Sequence, residues 1–219
     1  MKKVESVCPQ RIGWLEVDLD ETEMDHLWKC VEDAKKANKD WKKNLVGVIS
    51  NSLKLEDSDT WFFRKVLVKL MQQYAHCFTD LSQIDQILPG PFHPIVMDGF
   101  WVNFQNQTEY NPGHVHKGLY SFVIWMKIPT KFKDQKKLPW ISQVRKGKDN
   151  TVSNFRFEIQ TITGRVGTYT YEMSPEMEGK LLFFPADLRH EVFPFYNSND
   201  ERVTISGNLA LDTSVIIDS

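Results

Sequence analysis

The chain has 219 residues, of which 41% are hydrophobic and 26% charged, enough apolar material for a sizeable core and too much for a disordered chain. Lys and Arg number 27 against 29 Asp and Glu, so the formal net charge of -2 gives no reason to expect a nucleic-acid coat or a polybasic membrane anchor. No apolar run reaches the roughly 20 residues a membrane helix needs, and residues 1–5 lead into no apolar segment of a secretory signal.

The first 90 residues read as helical. Asp20 and Glu23 have the spacing of an N-cap and its capping-box partner. Met24, Leu27, Trp28, Val31 and Ala34 then make one apolar stripe. A second helix is expected from about Ser58, with Phe63, Val66, Leu67, Leu70, Tyr74 and Phe78 as its stripe. Both faces need a partner surface. Leu88-Pro89-Gly90-Pro91 ends the helical pattern.

From Val96 the period becomes two. Phe100, Val102 and Phe104 alternate with Trp101, Asn103 and Gln105; Phe155, Phe157 and Ile159 alternate with polar neighbours; Val203, Ile205, Gly207, Leu209 and Leu211 alternate with Arg202, Thr204, Ser206, Asn208 and Ala210. Further strands are expected at 118–128, 167–172 and 180–184. Seven Trp and fourteen Phe suit such a core. Short strands between turns predict an antiparallel sandwich or barrel. The basic stretch 131–148 interrupts it and reads as a solvated loop in preference to a substrate-gripping lid. The chain is expected to be one unit, with 1–90 covering a barrel formed by 91–219.

Three cysteines, Cys8, Cys30 and Cys77, suit a reducing cytoplasm better than a disulfide framework. Of six histidines, His26 lies four residues before Cys30, and His76 four before Asp80; with no second pair nearby, structural roles are expected. His93 suggests no chemistry. His114 and His116 differ: in extended chain, residues two apart project to one face and can share an ion. His190 follows a strand whose antiparallel pairing can bring it beside them. Arg202, twelve residues on, shares a strand face with Thr204, Ser206 and Asn208, and a guanidinium among hydroxyls suits a carboxylate.

In this order and spacing, His114, His116, His190, Arg202 and Thr204 resemble the iron(II)/2-oxoglutarate-dependent oxygenases, nearest to a little-characterised bacterial and phage family with an HxH pair after an Asn/Pro/Gly-rich turn. The resemblance spans roughly 96–212. It implies a double-stranded β-helix (jelly-roll barrel), iron(II) and 2-oxoglutarate as cofactors, and O2 as co-substrate in a hydroxylase-type reaction. It also implies that Arg202 and Thr204 hold the far carboxylate of 2-oxoglutarate, with Asn103 a further cofactor contact and Lys127 a reserve cation. The usual triad has two His and one carboxylate, yet His116 occupies the carboxylate position. A three-His site is preferred; a carboxylate from Glu109 or Asp98, or a different metal, is the alternative. Trp101, Tyr110, Tyr120 and Trp125 are candidates for the substrate side. Metal release is expected as pH falls through about 6.5, where an ordinary imidazole protonates. Rival readings are a cupin-like three-His dioxygenase without 2-oxoglutarate, a non-catalytic jelly-roll module, and a nucleic-acid binder using 131–148. The substrate class stays open among protein side chains, nucleobases, lipids and small metabolites.

Overall fold

A computed structural model of the chain describes residues 13–78, 94–143, 151–161 and 163–212. Cys8, Asp80, the 88–91 break, His93 and the end of the basic stretch lie outside the described residues.

Six strands form one antiparallel sheet in the order β1-β8-β5-β10-β3-β2: β1 Leu15–Asp18, β2 Asn51–Lys54, β3 Ile95–Gln105, β5 Tyr120–Lys127, β8 Lys180–Pro185 and β10 Arg202–Leu211. Four more make the facing sheet in the order β4-β9-β6-β7: β4 Asn111–His114, β6 Phe155–Gln160, β7 Val166–Tyr171 and β9 His190–Val192. This is the jelly-roll architecture, the double-stranded β-helix.

The first helix, α1 (Glu21–Ala37), begins at the expected capping box, with Asp20 accepting from the Glu23 N–H and Glu23 from the Asp20 N–H. It ends at Asn38, which adopts φ 49° as a left-handed cap. The second starts with a π turn, Phe63–Leu67, and continues as α2 (Val68–Cys77). Their buried residues, Leu27, Val31 and Ala34 with Val66, Leu67, Leu70 and Tyr74, follow the expected stripes. The first 90 residues are not purely helical, because β1 and β2 complete the edges of the larger sheet. Four-residue strands carry too little alternation to declare themselves.

Two cores result. Both helices pack on one face of the six-stranded sheet, against Val102, Phe104, Ile124 and Ile205. The other face meets the smaller sheet through Trp125, Phe155, Phe157, Leu182 and Phe184. β5 is buried on both faces, so its sequence is apolar almost throughout. The wedge between the sheets, where they part, holds the site.

Candidate metal centre

His114 and His190 are brought together by strand register, for they face each other across the β4–β9 pair. His116 lies just past the end of β4, anchored by its N–H donating to the Ala186 carbonyl at 2.7 Å. The chain then crosses to the larger sheet at Gly118, whose φ of +101° and tight approach to the Leu209 carbonyl leave no room for a side chain. Ring centroids are 5.0 Å apart for His114–His116, 4.4 Å for His114–His190 and 5.0 Å for His116–His190. One nitrogen from each ring lies within 4.8 Å of the others, a spacing that could hold one metal ion.

The protonation pattern fits a metal. His114 donates Nδ1–H to the Pro112 carbonyl at 2.7 Å, and His190 donates Nδ1–H to the Leu188 carbonyl at 2.9 Å. Each bonds the residue two positions before it, which fixes the ring and leaves a lone pair on the inward Nε2. Nε2 of His116 is 3.2 Å from Nε2 of His190. Burial holds all three imidazoles neutral, lowering His114, taking His116 down to about 4 and pushing His190 well below its ordinary value. Neutral imidazole is the ligating form.

No carboxylate joins the three rings among the described residues. Glu109 accepts from the N–H groups of Ser50 and Asn106, tying a loop together. Asp98 is the extra residue of a bulge in β3, exposed at the mouth of the cavity. A cavity of about 480 Å³ runs inward from the histidines, with Asn103, Thr204, Ser206 and Asn208 on its floor and Trp101, Trp125 and Phe155 in its walls.

The segment 99–208 matches a protein-family model described as "Putative 2OG-Fe(II) oxygenase". The chain belongs to this family. The oxygenase is thus an iron(II)- and 2-oxoglutarate-dependent enzyme that couples 2-oxoglutarate decarboxylation to substrate oxidation by O2. A search of curated proteins found no match. Among solved structures it is similar in fold to a Pseudomonas putida prolyl-4-hydroxylase, with TM-score 0.51 and 12% identity over 91% of this chain and 92% of that one. A Burkholderia pseudomallei oxidoreductase of the 2OG-Fe(II) oxygenase family gives TM-score 0.50 and 13% identity over 90% and 84%.

In the oxygenase Arg202 differs from expectation. It shares the cavity-side face of β10 with Thr204, but the cavity stops at Thr204 and the guanidinium lies deeper, sealed off. Its Nη2 donates to the Ser153 carbonyl at 2.6 Å and hydroxyl at 3.1 Å, while Nη1 reaches Gln105 at 3.4 Å and the Phe193 carbonyl at 3.5 Å. The reason is register: Arg202 pairs with Gln105 at the end of β3, beneath the 193–195 segment. Lys127 points away and pairs with Asp200 at the surface. Trp101 and Trp125 do line the cavity, Tyr110 stands half-exposed outside it, and Tyr120 belongs to the helix-side core. His26 bonds Asp57 at 3.0 Å and touches Cys30, as a structural pair.

The sequence offered no clue to several other participants. The backbone carbonyls of Pro112 and Leu188 and the hydroxyl of Ser153 act through geometry alone. Trp41 reaches the cavity mouth from the helical half and stacks on Trp101 at 5.7 Å. Asn111 could have been flagged as the polar residue of the turn before the HxH pair.

Proposed function

We propose that His114, His116 and His190 hold iron(II) through their inward nitrogens, and that the enzyme inserts oxygen into a C–H bond of its substrate. The observation that carries this reading is the convergence of three neutral imidazoles, two of them clamped from behind by carbonyls. When bound, iron with 2-oxoglutarate supplies the redox chemistry. The chain's own residues bind, orient and exclude water.

Asn103 and Thr204 face each other across β3 and β10 and offer an amide and a hydroxyl to the far carboxylate of 2-oxoglutarate. Arg202 sits one same-face position behind Thr204, about 6–7 Å along the strand. Among the described residues no carboxylate bonds it and its Nε has no partner, and burial lowers its pKa to about 9, which still leaves it charged at neutral pH. An uncompensated buried cation draws an anion toward Thr204 without lining the cavity. The aromatic walls, Trp125, Phe155 and Phe184, keep bulk water from the reacting atoms. We further propose that 1–219 acts as one catalytic unit, a reading supported by β1 and β2 completing the sheet that carries Thr204. We place the enzyme in a reducing cytoplasm, a reading that the free thiols at Cys30 and Cys77 support.

The test is anaerobic titration with iron(II), then with 2-oxoglutarate, followed by succinate measurement in air. One iron per chain, 2-oxoglutarate binding that requires iron, and succinate formation are expected. Iron binding without 2-oxoglutarate affinity would turn the assignment toward a cupin-like dioxygenase.

A further inference from the structure

Asn111 opens β4, opposite Val192, at the lip of the metal centre. We propose that its side-chain amide contacts the cofactor, donating from Nδ2 to an oxygen of the metal-chelating carboxylate of 2-oxoglutarate; this rests on the oxygenase reading above.

Nδ2 of Asn111 lies 3.4 Å from Nε2 of His114. That nitrogen carries a lone pair, because the opposite ring nitrogen spends its hydrogen on the Pro112 carbonyl. Without metal, the amide N–H therefore donates to His114. A metal ion takes the same lone pair, and the amide N–H is then left without its acceptor. Its other end is already unsatisfied: Oδ1 is buried with no partner among the described residues. The backbone of Gly47 closes over that oxygen so tightly that a Cβ there would sit 2.3 Å from it. Loading the site therefore leaves Nδ2 facing the cavity without its acceptor while Oδ1 stays buried without a bond, and an amide so placed is a ready donor to whatever anion enters.

The chemistry of the site names the acceptor. Three neutral imidazoles leave the full positive charge of the metal, and no protein carboxylate approaches it among the described residues. The anionic oxygens at this point come with the cofactor, and a carboxylate oxygen is a strong acceptor for an amide N–H. An amide at 111 serves this better than a carboxylate, which would repel the cofactor from a similar volume. Trp101 Nε1, also buried without a partner, lies on the other side beside His116, its ring 5.8 Å away.

Iron(II) and 2-oxoglutarate binding are measured anaerobically on the wild type, Asn111→Leu, Asn111→Asp and Asn111→Ser, with circular dichroism to establish folding. Iron affinity is expected to stay within about twofold in the Leu variant, while 2-oxoglutarate affinity of the iron-loaded protein falls about tenfold or more, as for a lost bond to a charged group. The Asp variant falls further, the Ser variant retains part through its hydroxyl, and the visible charge-transfer absorption of the iron–2-oxoglutarate chelate shifts in each. If Leu fails to fold, the isosteric Asp variant carries the test. Unchanged 2-oxoglutarate affinity in the folded variants, or a loss of iron in parallel with it, overturns the proposal. A wild type that takes iron but no 2-oxoglutarate removes the oxygenase reading itself, a separate outcome.

Discussion

Of the three proposed ligands, His116 has the least support. His114 and His190 are each held by a carbonyl two residues back, whereas His116 is fixed through its backbone N–H to Ala186 and, among the described residues, its ring nitrogen meets only His190. Removing it, as His116→Ala, leaves two nitrogens and should weaken iron binding by more than about a hundredfold, since even outer partners cost 10–100-fold. His116→Asp should retain iron, because a short carboxylate there recreates the two-His, one-carboxylate arrangement. Anaerobic iron titration of both variants decides the matter; wild-type iron affinity in the Ala variant would show that position 116 does not face the metal, and equal loss in both would show that a carboxylate there does not reach it. The same rings set a pH dependence. Burial depresses their folded pKa values, so below pH 6.5 the unfolded chain takes up protons that the folded chain refuses. Stability of the metal-free protein is expected to be flat above 6.5 and to fall as pH drops toward about 4, by roughly 3 kcal/mol from His116 alone, with His114 and His190 adding in the same direction. Bound iron should likewise persist below 6.5, later in acid than ordinary imidazoles would allow. Urea unfolding at pH 7.5, 6 and 5 measures the first effect; stability that rises on acidification would refute it.

Strand crossovers make the site as much as strands do. His116 reaches the centre because the chain leaves one sheet after β4 and joins the other at β5, turning on Gly118. Gly118→Ala would force a side chain into φ +101° and against the Leu209 carbonyl at 2.5 Å, and is expected to cost about 2 kcal/mol or more in urea unfolding while weakening iron binding. A fully stable variant would mean the turn can relax without moving His116. What was legible beforehand follows the same division. β3, β6 and β10 are long enough for a period of two to be read, and the HxH spacing placed two rings together whether or not the second lay in a strand. β4 contains Pro112 and Gly113 and β9 has three residues, so neither has a pattern to read. Arg202 shares its strand face with Thr204, as the alternation implies, but its depth depends on pairing with Gln105, a register that no local pattern encodes.

The molecule has two cores on opposite faces of one sheet, and only one of them touches the histidines. Leu27 is fully buried between the helices and that sheet, in the core remote from the metal centre. Phe157 is equally buried, but it pairs directly with His190, their rings 6.1 Å apart. Truncating either side chain leaves a cavity worth about 3–5 kcal/mol, or roughly 6–20 °C of melting temperature at 2–4 °C per kcal/mol. Their effects on iron should part company. Leu27→Ala is expected to keep wild-type iron affinity, so saturating iron raises its melting temperature by nearly the same increment as in the wild type, because the stabilising free energy depends only on ligand concentration and dissociation constant. In Phe157→Ala the ring of His190 loses its backing, the dissociation constant rises, and the increment shrinks. Thermal unfolding of both variants with and without iron under anaerobic conditions separates the cases. Equal shrinkage in the two would mean that the helix-side core also sets the geometry of the three imidazoles, through the shared sheet.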